Sequence, residues 1–394
     1  MAGMDLPRGW TWADVLARLE EHVDIDASAR QHGAIKRMRS IKTGAQMLRL
    51  VLAYALNGLS LRGTSAWAEA TGAASLSDVA LLKRLRGCGP WLAALTSRLG
   101  TVLNPEGAAG DDSRRILAVD ATTICSPGGL HKPYRVLHTA YDVGAQRFRT
   151  TQATDRRVAE RLDIGGVEEG EIRLGDRVYG RYADLAAVTH AGADYVVRLS
   201  ASALRLTRAN GQCRTPIRNK PFRRAALCRL AERRDVQELG VSVHGDKEDP
   251  LLPARVIVLP LPPDQAETAR RRMRKNARRW GYTATADALA TAGCLMLITS
   301  LPAKDWPPER VLALYRRRWQ AELAFKRLKS LLDLERLRAF DDNLVSAWIH
   351  AVLLIAMLIE LERPATEVAV PDSPRSEDDV SSLCGASSLS PLAA

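Results

Sequence analysis

The chain has 394 residues, 46% of them hydrophobic and 26% charged, which is enough for two or three domains with a substantial core. Those proportions describe an ordinary globular protein and exclude a chain that is disordered or fibrous throughout. A formal charge of +12 and a pI near 9.7 favour a polyanionic partner, nucleic acid first, although an arginine-rich composition alone gives the same charge.

The six cysteines are scattered, with no CxxC pair and no histidine cluster beside them. That argues against zinc and fits a reducing cytoplasm better than a disulfide framework. The start of the chain carries no signal-peptide pattern. The most apolar run, Val345 to Ile359, is short for a membrane span and contains His350, so it predicts a buried helix.

Residues 1–105 read as helical. Trp12–His22 is amphipathic, and Asp24, Asp26 and Ser28 supply capping groups for a second helical segment. Thr43–Ala55 is a strongly apolar helix pattern. Ser60–Thr71 and Ser75–Arg86 are two shorter helices spaced like a helix-turn-helix, with Lys83, Arg84 and Arg86 on the second. Plain helical bundles show the same spacing.

After a polar hinge at Gly107–Ser113 the pattern changes. Arg115–Ile124 predicts a strand, and Val136–Asp142 with Arg147–Thr154 predicts a hairpin across Val143-Gly-Ala-Gln146. Ile172–Val178 is a further strand, Tyr182–Ala191 a helix and Tyr195–Ser200 another strand. Three consecutive strands followed by βαβ alternation make an α/β domain with a mixed sheet. Between about 201 and 292 there are short β runs, such as Ala254–Leu259, in a Pro- and Arg-rich setting. A basic helix, Ala269–Arg279, has seven Lys or Arg among eleven residues. Leu295–Ser300 returns as an apolar strand. From Arg363 onward Ser, Pro and Asp dominate without periodicity, which predicts disorder.

The segment Tyr315–Lys329 carries the chemistry. Placed on one helix at about 100° per residue, Tyr315, Arg318, Glu322 and Lys329 fall within an arc of roughly 60° bounded on both sides by apolar residues. Charges between apolar flanks need partners. Asp120 lies in the apolar strand Leu117-Ala-Val-Asp-Ala-Thr-Thr123, where an acidic side chain must be paired, protonated or metal-bound. Asp176 comes after a second strand and precedes a glycine-bearing loop; alone it reads equally well as a turn or capping residue. Three carboxylates meeting at one sheet edge would suit Mg²⁺ or Mn²⁺. Two such ions can activate an attacking oxygen and stabilise a departing one. Arg318 and Lys329 can hold phosphate oxygens, and Tyr315 can bond a phosphate or stack on a base.

The spacing Y-x2-R-x3-E-x6-K, downstream of Val-Asp120-Ala-Thr-Thr and Gly-Asp176-Arg-Val-Tyr-Gly, resembles the DDE transposases of bacterial insertion sequences. The branch is the one with the YREK signature, insertion sequence family four, and the likeness runs from about residue 10 to 360. It implies a ribonuclease-H-like α/β core interrupted by a β-rich insertion and preceded by an all-α N-terminal domain. On this reading residues 1–107 form a helical DNA-binding domain and 108–200 the first part of the core. Residues 201–294 are the insertion with its basic segment, 295–362 the second part of the core with the Glu322 helix, and 363–394 an atypical disordered tail.

The resemblance makes Asp120, Asp176 and Glu322 catalytic metal ligands for Mg²⁺ or Mn²⁺, two ions being expected. It gives Tyr315, Arg318 and Lys329 contacts to the DNA backbone. The implied partners are double-stranded DNA, as transposon ends and target, and a second copy of the chain in the DNA complex. No membrane, no small-molecule substrate and a nucleoid-associated cytoplasmic location are expected. A tryptophan in the insertion of related enzymes holds a flipped base. Trp280 and Trp306 lie in the right part of the chain, with packing the expectation for both, and Trp319 is expected in the core. The tail departs from the family, whose members continue into basic helical sequence there; a truncated, inactive DNA-binding remnant is the alternative.

Overall fold

A computed structural model of the chain describes residues 4–7, 9–103, 114–127, 133–199, 204–208, 224–234, 236–324, 337 and 339–362. The segment from 363 onward and Lys329 lie outside the described residues.

Among the described residues six helices open the chain: α1 (Trp12–Glu20), α2 (Ile25–Gln31), α3 (Gly44–Leu56), α4 (Leu61–Ala70), α5 (Asp78–Arg86) and α6 (Gly89–Leu103). Their starts are written in side chains that satisfy otherwise orphaned N–H groups. Thr43 closes a capping box with Gln46, and Asp24, Ser60 and Ser77 accept from the backbone of Ala27, Gly63 and Ala80. The apolar sides of these helices do not close on themselves alone. They share one cluster with α12 (Asp342–Glu362) and with one face of the sheet. α12 is long and apolar enough to cross a membrane, yet most of it is buried against α6, α3 and α5, as a core helix is.

Among the described residues nine strands form one sheet. They are β1 (Ile116–Cys125), β2 (Pro133–Asp142), β3 (Arg147–Asp155), β4 (Ile172–Gly175), β5 (Asp194–Arg198), β6 (Arg205–Arg208), β7 (Gln237–His244), β8 (Leu252–Pro260) and β9 (Cys294–Thr299). The order across the sheet is β3-β2-β1-β4-β5-β9-β8-β7-β6. β1 runs antiparallel to β2 and parallel to β4, β4 runs parallel to β5, and β9 is antiparallel to β5. The β2–β3 turn puts Gln146 at φ +54°, where the Asp142 carboxylate accepts from the N–H of Ala145 at 2.9 Å. The strands between 205 and 260 continue the sheet through β8 on β9.

Alternation along each strand sorts side chains between two layers. Ile116, Ala118, Ile172, Leu174, Val196, Ile257 and Leu297 join the larger cluster, which also receives α11 (Pro308–Arg316). Leu117, Val119, Tyr195, Val197, Val256, Val258 and Ile298 join a second cluster. That layer is covered by α7 (Tyr182–His190) and α8 (Arg224–Arg234), and α9 (Pro263–Arg279) and α10 (Ala286–Ala292) complete the helices between β8 and β9.

Candidate active site

Asp120 occupies the middle of β1 with the same parity as Ala118, so it projects toward the larger layer. β1 and β4 pair in parallel with Ala118 opposite Leu174, and two residues further the register brings Asp120 beside Asp176. The strand predicted over 172–178 ends at Gly175. Asp176 leaves the sheet because its own carboxylate accepts from the N–H of Val178 at 2.8 Å, capping a single 3-10 turn, Arg177–Tyr179. Gly175 has little room for a side chain: a Cβ would stand 3.0 Å from Leu162 Cδ1 and 3.0 Å from Tyr179 Cβ.

Opposite Asp120 on β2 lies Thr139, fully buried. Its hydroxyl has no hydrogen-bond partner among the described residues.

Glu322 and Arg318 come from the polypeptide that crosses the same layer. The single helix predicted through Tyr315–Lys329 is interrupted: α11 ends at Arg316, and residues 319–324 are helical again. Across the break the N–H groups of Arg317, Arg318, Gln320 and Ala321 each bond the carbonyl three residues back, tightening the turn. Leu314, Tyr315, Ala321 and Ala324 hold this stretch in the larger cluster. Arg318 pairs with Glu322 through one guanidinium nitrogen, both side chains being largely buried. The guanidinium carbon lies 5.8 Å from the centroid of the buried Tyr315 ring.

Asp120, Asp176, Glu322, Arg318 and Tyr315 are thus gathered at one place, and Lys329 falls outside the described residues. Of the tryptophans, Trp306 is buried with the Arg310 guanidinium 3.9 Å from its ring centroid. Trp319 is half-buried. Trp280 corrects the packing expectation: it comes directly after the last residue of α9 and is 55% exposed.

The electrostatics record the crowding. Burial pushes the Asp120 carboxyl up, Asp176 and Glu322 push it further, and Arg318 and the Ala121 N–H oppose them, leaving it at about 7. Two groups escape a reading of the sequence. Glu160 lies beside Asp176 and is raised by burial first and by that like charge second. The Tyr179 hydroxyl, buried near Asp120, Glu160 and Asp176, is held well above its ordinary value, with burial again the main cause. Glu160 sits in no periodic or motif-like setting that could have flagged it, whereas Tyr179 belongs to the Gly-Asp176-Arg-Val-Tyr-Gly segment, which could have done so.

The donor set fits a hard divalent cation in kind: all oxygen, strongly negative, with a buried hydroxyl that lacks a partner among the described residues on the same face. It is not a closed cage. Among the described residues no group of three His, Cys, Asp or Glu side chains stands close enough to grip one ion as arranged, and Arg318 engages Glu322 instead.

Asp120 in the middle of β1, Asp176 just past the end of the parallel β4 and Glu322 from the helical stretch over the same face thus form one acidic group. The chain belongs to the DDE transposase family: residues 111–358 match the transposase DDE domain. It is accordingly an enzyme of that class. It is 40% identical over 351 residues, 89% of this chain and 93% of the relative, to InsL of Escherichia coli (strain K12), which is named as a transposase for insertion sequence element IS186A. The transposase for insertion sequence element IS421 of Escherichia coli is also 40% identical, over 352 residues, with the same coverage.

Proposed function

We propose that this protein binds the ends of its own insertion sequence and catalyses metal-dependent DNA strand cleavage and strand transfer, as a member of the YREK branch. The observation that carries the reading is the convergence of Asp176, Glu322 and Arg318 on Asp120. A strand order of 3-2-1-4-5 with β1 antiparallel to β2 and parallel to β4 supports a ribonuclease-H-like core.

Asp120, Asp176 and Glu322 are the residues that would hold Mg²⁺ or Mn²⁺, two ions being the family expectation. Bound there, the metal supplies activation of an attacking oxygen and charge stabilisation at the phosphate. The chain's own groups do the remaining work. Arg318 offsets the charge of Asp120 and Glu322 in the metal-free protein. Turned toward a DNA phosphate, its fork would release Glu322 to the centre. Tyr315 and Lys329 contribute the neighbouring backbone contacts. Water first cleaves the phosphodiester at the element end to free a 3′-hydroxyl, which attacks the other strand, closing a hairpin on the element end and releasing the flanking DNA. A second water opens the hairpin and regenerates the 3′-hydroxyl, which then attacks a target phosphodiester and displaces its 3′-oxygen. Helices α4 and α5 take part in end recognition, a second copy joins in the DNA complex, and the reaction proceeds in the cytoplasm on the nucleoid.

The test is a plasmid carrying the DNA that flanks the gene on both sides, incubated with the protein and Mg²⁺. Cleavage at the element ends with joined product is expected. Cleavage without joining would make the protein a hydrolytic nuclease. Specific binding without cleavage would make it a DNA-binding remnant.

A further inference from the structure

Helix α9 holds seven basic and two acidic residues, and its charge is arranged by side. Ala266 and Ala277 are buried and Met273 is half-buried, so one face packs on the protein. Arg270 on that side donates to the Leu289 carbonyl at 3.3 Å and pairs with Glu232. Arg271, Lys275 and Arg278 recur at i, i+4 and i+7, which puts them in one stripe on the opposite face. All three are exposed, and none has an acidic partner among the described residues. Arg274 beside them is already bound to Glu267 at 3.1 Å. The acidic residues of α9, Asp264 and Glu267, lie toward its other end.

Helix α9 leaves the sheet at its working edge. β8 is antiparallel to β9, β9 antiparallel to β5, and β5 parallel to β4. The C-terminal end of β8, from which α9 departs, therefore lies at the same edge as Asp176. Tracing the register from Asp120 across four strand spacings and three residue levels gives about 20 Å to the end of β8.

We infer that Arg271, Lys275 and Arg278 form a phosphate clamp for double-stranded DNA entering the acidic centre, gripping the backbone away from the reacting phosphate. The inference rests on the function proposed above and adds a surface to it. The clamp reads no sequence: three exposed cations on one helical stripe match phosphates of any duplex, and they raise affinity and its salt dependence without touching the reacting atoms. An acidic protein surface is the competing occupant, and it predicts no change in DNA binding.

The experiment compares wild type, the triple variant Arg271→Ala/Lys275→Ala/Arg278→Ala and the charge-preserving Arg271→Lys/Arg278→Lys. Each is titrated over a range of salt with a labelled duplex carrying the element end and with one of shuffled sequence. The triple variant is expected to lose about 2.7 from the slope of log affinity against log salt on both duplexes. Its preference for the end sequence and its cleavage rate at saturating DNA should stay at wild-type values. The lysine variant should keep the wild-type slope. Unchanged slope and affinity in the triple variant, beside a wild type that binds and cleaves, would overturn the clamp and leave the transposase reading intact. Equal losses in the alanine and lysine variants would also overturn it, since charge would not be the cause. A wild type that neither binds nor cleaves end DNA would overturn both.

Discussion

Replacing Asp120 by asparagine is expected to stabilise the metal-free protein while abolishing its reaction. The carboxyl is held at about 7, against an ordinary 3.8, by burial and by Asp176 and Glu322. Such a rise corresponds to about 4 kcal/mol against the ionised form. Asp120 keeps a partial exposure, so solvent screening brings the expected figure to about 2–3 kcal/mol. The sign comes from linkage. With the folded value above the unfolded one, the favourable contribution is complete below about pH 4 and is lost as pH rises through about 7. Asparagine mimics the protonated side chain at every pH. Urea unfolding in EDTA should therefore show Asp120→Asn more stable than wild type at pH 8 and equal to it near pH 4. Saturating Mg²⁺ should largely close the gap at pH 8, because wild type gains about 2.7 kcal/mol at a hundredfold excess over Kd and the variant does not. Wild-type stability matching or exceeding that of the variant at pH 8 in EDTA would refute the three-carboxylate reasoning.

Three further outcomes test other parts of the molecule. Glu322→Gln removes one like charge near Asp120 and should lower strand cleavage at least about a hundredfold, the upper range for groups that merely support a metal ligand, while gel-shift binding of end DNA persists. Gly175→Ala forces a Cβ within 3.0 Å of Leu162 and Tyr179; overpacking of about 1–3 kcal/mol is expected in urea unfolding, with a loss of cleavage from displacement of Asp176. His350, whose ring lies 3.3 Å from the Thr96 hydroxyl, is pushed down to about 4 by burial. Its contribution is complete above about pH 6.5 and falls by up to about 3 kcal/mol toward pH 4. Asp120 pulls the other way over the same window, so the readout is the stability difference between wild type and His350→Leu, which should shrink as pH falls.

Much of the chain's organisation lies in local rules. Thr43, Ser60 and Ser77 begin helices because their side chains cap orphan N–H groups, and such signals are visible in the residues themselves. The β2–β3 hairpin and the mixed sheet arise from alternation and turn composition. The features that stay hidden depend on competition between local and distant partners. The strand at 172 stops at Gly175 because the Asp176 side chain offers Val178 a bond that the sheet would otherwise have to supply. β7 leaves little trace in the sequence because only Val241 and Val243 give it a buried face among polar neighbours. α8 and α10 lie in sequence too polar or too short to show a helical period.

The candidate site divides in the same way. Asp120 stands out because a carboxylate inside an apolar strand violates the local pattern. Glu160 comes from an irregular loop and is brought in only by tertiary folding. The spacing of Arg318 and Glu322 suggests two polar groups on one stripe, each with its own target. As i, i+4 neighbours they pair with each other instead. A buried arginine among three carboxylates makes the metal-free centre tolerable, because the like charges around Asp120 would otherwise oppose folding. On the proposed function, the same pairing would withhold Glu322 from a cation until a phosphate competed for the guanidinium. Substrate engagement and assembly of the acidic centre would then be coupled through that one side chain.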